Sequence, residues 1–244
     1  MAALDIFDSY TIRARLAPAL VAMLPLGLGF AAWFPVGDQL KAVPAGAIVA
    51  LGLATLAAHL GRDLGKAKEP ILFAMWDGAP TTTMMTFART TLNASVIRRL
   101  HEHLRAISPE KQLPLTPEEE RQDLARARQS YENATAWLRE QTRDKQLFPL
   151  VAEENANYGF RRNLWAMKPA GSLSAALGAG IAISRIAVSV SGGQAVDPYV
   201  ALYALIAIGL LVLWVLRISP VWVQRAGIAY AERLLLSAER LATK

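Results

Sequence analysis

The 244-residue chain has no cysteine. That excludes disulfide bridges, a thiol nucleophile and any thiolate-ligated metal. Histidine is scarce, at 3 residues. Two of them, His101 and His103, are two positions apart and diverge on a helix, so they make no metal pair. No P-loop, HExxH, GxSxG or GxGxxG pattern occurs, which removes the usual phosphate cradle, zinc helix, nucleophile elbow and dinucleotide turn. Glu153 and Glu154 are adjacent, so their carboxylates diverge and do not form an acid–base pair. The expectation is no enzyme: no catalytic residue, no metal and no cofactor. Acidic residues are in deficit, 20 against 26 Lys and Arg, giving a net charge of +6. The anionic partner this suggests is the head-group layer of a cytoplasmic leaflet. Nucleic acid is disfavoured. The central arginines Arg121, Arg126, Arg128 and Arg139 are interleaved with Glu118, Glu120, Asp123, Glu132 and Glu140, the pattern of a solvated face.

What is present is apolar length. Hydrophobic residues are 53% and charged residues 19%, a mixture natural for membrane spans joined to a polar domain. Residues 16–34 carry no charge over 19 positions, roughly 29 Å of helix against a hydrocarbon core of ~30 Å. Pro18 and Pro25 predict a bend there. A second apolar run, 43–60, follows a short connection at 35–42 and ends near His59. Residues 173–190 and 199–216 make a second pair, joined by 191–198. Trp214 and Tyr199 are expected as interfacial anchors. Ser174/Gly178 and Ala176/Gly180 are small residues four apart, which let helices approach closely.

Between the pairs, residues 61–169 hold 17 of the 26 basic and 14 of the 20 acidic residues. Ile97, Leu100, Leu104 and Ile107 share one helical face. Thr116, Pro117 and Glu119 spell a helix start, and Leu124, Ala127, Tyr131, Ala134 and Leu138 form a seam on a helix expected over 116–144. After the last span, residues 221–241 read as an amphipathic helix with Val223, Ala226, Tyr230, Leu234, Ser237 and Leu241 on one face. It is expected to lie on the membrane, to pair with the 116–144 helix, or to join a second subunit.

The fold class expected is an all-α integral membrane protein. Residues 1–60 form an N-terminal segment and first hairpin, 61–169 a cytosolic helical domain, 170–217 a second hairpin and 218–244 a cytosolic amphipathic helix. The loops 35–42 and 191–198 carry Lys41 as their only basic residue, whereas the N-terminus, central block and tail carry 24 basic residues. The positive-inside rule then places both termini in the cytoplasm of a bacterial inner membrane.

Three sites are candidates. The densest polar-aromatic stretch, FPLVAEENANYGFRRNLWAMKP at 148–169, places Glu154 with Tyr158, Tyr158 with Arg162, and Asn157 with Arg161, each four apart. Such a group suits a polar ligand or protein partner, or an internal network. Arg185 is a charge inside a span, either snorkelling toward Asp197 or lining an ion path. Asp77, Thr81 and Thr82 form a loop able to offer hydroxyls and a carboxylate. The favoured function is a non-enzymatic, homo-oligomeric sensor, effector or scaffold that couples a cytosolic partner or ligand to the spans. The alternative is an ion channel or pore. By architecture alone the chain resembles small bacterial membrane effectors and sensors, including those of anti-phage systems.

Overall fold

The structure, a computed structural model, describes residues 9–34, 36–88 and 92–242, with side chains at all of these except 36–50 and 242. The described residues are helical and contain no strand. In chain order the helices are α1 Ser9–Ala31, α2 Val36–Met75, α3 Pro80–Thr83, α4 Ala94–Ile107, α5 Pro117–Gln122, α6 Leu124–Gln141, α7 Pro149–Ala166, α8 Lys168–Ser191, α9 Pro198–Leu216 and α10 Pro220–Ala242. Three of them, α1, α8 and α9, are long and apolar enough to cross a membrane. The expected second span, 43–60, falls in α2, and its first residues lie outside the described side chains. The expected connection at 35–42 is mostly helix, since α2 begins at Val36.

The chain divides into two compact units. One comprises the described residues before Pro70 together with Gly159–Val223; the other comprises Pro70–Tyr158 and the chain from Gln224. Their boundaries fall inside α2, α7 and α10.

In the first unit α8 packs between α1 and α9, and α1 also touches α9. The packing depends on missing side chains. A Cβ at Gly29 would lie 2.6 Å from the Gly178 carbonyl oxygen, and one at Gly178 would overlap the Pro25 carbonyl. Gly171 does the same for Trp214, whose indole occupies the space a Cβ would need. Small residues allow this approach because helices in lipid gain contact by closeness rather than by hiding apolar area from water. The expected Ser174/Gly178 face is therefore partly used, through Gly178. Gly180 meets nothing within 4 Å, and Ala176 is exposed. Trp214 departs from expectation: instead of anchoring an interface it is 0% exposed, in a cluster with Ala175, Met167, Leu164 and Ile218.

The second unit is built around large side chains: Met84, Met85, Leu100, Leu104, Leu113, Tyr131, Leu138 and Phe148. Ala231, Leu234, Leu235 and Ala238 of α10 belong to the same core. They share it with Ala127, Tyr131, Ala134 and Leu138, the pairing with the 116–144 region that was one of the three fates expected for the tail.

That region is not one helix. Asp123 adopts φ −149° and ψ 83° and caps α6, accepting a hydrogen bond from the Arg126 N–H at 2.9 Å. A side-chain cap replaces the backbone bonds a continuous helix would have made. Leu124, expected in the seam, is left 64% exposed as the first residue after the break. The start signal is real: Thr116 accepts from the Glu119 N–H at 3.2 Å, and Glu119 accepts from the Leu115 N–H at 2.8 Å.

Candidate functional site

The 148–169 segment becomes α7, and its side chains sort by unit. On the second-unit half, Asn157 donates to Glu154 at 3.3 Å. Tyr158 stacks on Tyr230 with ring centres 6.3 Å apart and planes within 5°. On the first-unit half, Arg161 donates to the Trp222 carbonyl at 3.1 Å and lies 4.9 Å from the centre of its ring. Arg162 forms an ion pair with Glu69 at 2.9 Å, the two side chains being 10% and 26% exposed.

Beside Arg162 stands Asn163, which is 2% exposed. Its Nδ2 donates to the Ala14 carbonyl at 2.8 Å, and its Oδ1 accepts from the Arg162 Nε and Nη2, each at 3.4 Å. The reason lies four residues beyond Ala14. Pro18 has no N–H to return to that carbonyl, as an α-helix requires. The chain here winds as a π-turn, Ile12–Leu16, with the Ala17 N–H reaching back to Ile12. The freed Ala14 carbonyl is answered by Asn163. Gly65 of α2 makes room, since a Cβ there would collide with the Asn163 amide oxygen. One buried polar chain thus runs Ala14–Asn163–Arg162–Glu69 and ties α1, α7 and α2 together.

Cations staple the same end of the first unit. Lys68 donates to the Ala166 carbonyl at 3.2 Å and lies over Trp165. Lys168 donates to the carbonyls of Val215 at 3.1 Å and Ile218 at 2.8 Å, capping α9 where its last carbonyls lack helical partners. Arg13, Arg15, Arg62, Lys66 and Arg217 are on the same segments, and the acids there are Asp63 and Glu69.

Arg185 occupies the last third of α8. Its Nη1 donates to Ser189 at 3.0 Å, and its guanidinium lies 5.7 Å from the Trp33 ring centre. Asp197, the partner considered from sequence, instead caps α9 by accepting from the Tyr199 N–H at 2.8 Å. In the loop candidate, Asp77 has φ 62° and Gly78 φ 134°, a left-handed end to α2. Thr82 is 6% exposed, Thr81 is half-buried and Asp77 is exposed. These three do not share one open surface.

The second unit also buries a polar group that the sequence assigned to a solvated face. Glu120 is 4% exposed and accepts from the Phe87 N–H at 2.9 Å and the Tyr131 hydroxyl at 3.2 Å. Burial, reinforced by that carboxylate, raises the Tyr131 pKa. His101, 0% exposed, lies between the rings of Phe87 and Tyr131. Its Nδ1–H donates to the Pro114 carbonyl at 2.6 Å. Burial lowers the His101 pKa to about 4; the Pro114 and Met85 carbonyls pull upward and the Arg105 cation pushes down. Among the described residues no group of three or more His, Asp or Glu is placed to hold a metal ion.

The sequence reading found Arg162 but missed Asn163, Glu69 and Ala14. The available signal was Pro18, whose missing donor obliges some side chain to answer a carbonyl one turn earlier. Compared with known protein families, curated proteins and solved structures, the chain matches none.

Proposed function

We propose that this chain is a non-enzymatic coupling protein of a bacterial inner membrane. Four spans, with residues 43–60 of α2 as the second, hold a cytosolic helical domain that captures a protein partner or ligand and passes the change to the membrane helices. Both termini face the cytoplasm, and copies associate as a homo-oligomer. The cationic end of the first unit lies against anionic head groups, as the positive-inside rule requires.

The observation that carries this reading is the buried chain Ala14–Asn163–Arg162–Glu69. A polar network at the foot of apolar helices is costly unless every member is satisfied, so it responds sharply when one member moves. It joins the last turns of α7 to the second turn of α1 and to α2. Glu154 and Asn157, half-buried on the preceding turns of α7, are the proposed capture surface, with Tyr158 buried behind them against Tyr230. The test is hydrogen exchange on the full chain in nanodiscs. Arg162→Ala is expected to speed exchange in residues 9–20 and 61–69 as well as in α7. Faster exchange confined to α7 overturns the coupling.

A pore is the second reading, favoured by one observation. Arg185 sits within a candidate span, and among the described residues it makes no ion pair. A charge so placed is a functional candidate. Ion flux from proteoliposomes that falls in Arg185→Ala and returns in Arg185→Lys supports a pore, and by architecture a pore-forming anti-phage effector. Absence of flux in the wild type removes this reading.

A further inference from the structure

The outer face of α2 carries a pattern that the two hairpins do not use. Leu53, Leu56, Leu60 and Leu64 are spaced three, four and four apart, and Ala67 follows after three more, so the five share one face of the helix. Pro70, which has no N–H to donate and kinks a helix, bounds the stripe and begins the other unit. The four leucines are each between 47% and 58% exposed. Ala54 and Ala58, on the opposite face, are buried.

Lipid tails account for the stripe only as far as Leu60. Beyond it α2 carries Arg62, Asp63, Lys66, Lys68 and Glu69, and acyl chains over Leu64 and Ala67 would submerge those charges. A second copy fits better. Copies in one membrane share an orientation, so they meet in parallel about a two-fold axis, each stripe against its own counterpart.

In such a pair a flanking residue faces the one five positions on in the partner. At ~100° per residue, Asp63 and Lys68 lie about 70° to either side of the stripe's centre line. They are five apart and of opposite sign. Asp63 is exposed, and its carboxylate takes part in no hydrogen bond or ion pair among the described residues. Lys68 donates to the Ala166 carbonyl, leaving further N–H donors.

We propose that two copies of this chain pair in parallel along α2 from Leu53 to Lys68, with each Asp63 facing Lys68 of the partner subunit. This rests on the oligomeric membrane reading above and specifies its interface.

A chain without cysteine allows a clean test. Single cysteines at Leu56→Cys, Leu60→Cys and Leu64→Cys, with Lys66→Cys as the off-face control, are oxidised in native membranes carrying the full chain. A disulfide needs Cα atoms within ~7 Å, so the stripe positions are expected to yield at least about tenfold more covalent dimer than the control. Equal yields at all four sites, or none, overturn the interface. Nanodisc mass separates the two readings. A mass above one copy without stripe crosslinks leaves the oligomer standing and removes this interface, whereas a single-copy mass removes both. Asp63→Lys is expected to lower the Leu64→Cys yield several-fold, and adding Lys68→Asp to restore it. An unchanged yield in Asp63→Lys overturns the register.

Discussion

The two units solve helix packing in opposite ways. The second excludes water with bulk: Leu104, Leu113 and Leu138 are each 0% exposed and share one cluster with paired methionines and Tyr131. The first removes bulk: Gly29 meets Gly178, Gly171 meets Trp214, and Ala19, Ala175 and Ala182 are 0% exposed. Its outward surface carries the large residues instead, with Leu205 67% and Leu216 76% exposed. An aqueous core is stabilised by apolar area taken from water. Between helices in lipid that term nearly vanishes, and close contact with satisfied polar groups takes its place. The two units thus differ in how closely their helix backbones approach, and substitutions should separate them.

The largest separation is expected from Gly178→Leu. Overpacking usually costs ~1–3 kcal/mol, but here the added atoms would meet the Pro25 carbonyl, and main chain cannot rotate away. The cost should exceed that range and fall on α1 and α8 alone. Limited proteolysis in nanodiscs should show the first unit opened and residues 92–158 still protected; equal loss in both would dissolve the distinction. Next comes Arg162→Ala, which strands Glu69 in a mostly buried place. Breaking such a pair costs ~3–5 kcal/mol, measured as a fall in thermal midpoint. Arg162→Lys should recover only part, because a single ammonium cannot reach both the Glu69 carboxylate and the Asn163 amide as the guanidinium does. On the other side, Leu138→Ala should cost ~2–5 kcal/mol and leave exchange in α8 and α9 unchanged.

Legibility in the sequence followed the same divide. Apolar length alone located α8 and α9 to within a few residues of their ends. Period alone located the core faces of α4 and α10. Ala127, Tyr131, Ala134 and Leu138 were legible because a 3.6-residue repeat points one way whatever lies opposite. The polar chain was not legible, since its members are Ala14, Glu69, Arg162 and Asn163, far apart in sequence and joined by a carbonyl that bears no residue signature. Glu120 was misread for a related reason. Its acidic neighbours suggest a solvated face, and only the break at Asp123 turns it toward Tyr131. Trp214 was misread because an interfacial tryptophan and a tryptophan roofed by Gly171 look alike until the glycine is seen beneath the indole.

A titration sharpens the comparison from the second unit. His101 is held neutral by burial, with its pKa lowered to about 4, against ~6.5 in an unfolded chain. The unfolded state therefore binds a proton between those values while the folded state does not. Stability is whole above pH ~6.5 and declines as pH falls toward ~4, by roughly 3 kcal/mol. In His101→Phe that part of the slope should vanish, whatever the variant's absolute stability. The readout is the midpoint of the second unit's unfolding across this pH range, wild type against variant. The part of the slope that His101→Phe removes should be confined to the second unit, because His101 packs against Phe87 and Tyr131 there. A decline in α1 and α8 that His101→Phe also removes would mean that the two units unfold as one.

The smallest effect carries the clearest sign. Alanine is the best helix former, so Asp123→Ala should stabilise the chain by a few tenths of a kcal/mol if 116–144 were one helix, as its period suggests. With α6 starting at Leu124, the substitution instead removes the cap on the Arg126 N–H and should cost about 1 kcal/mol. It should also loosen Glu120, whose inward turn depends on the break, so exchange at the Phe87 amide should rise with it. A stabilising result would show that the helix runs through and that Glu120 belongs to the solvent.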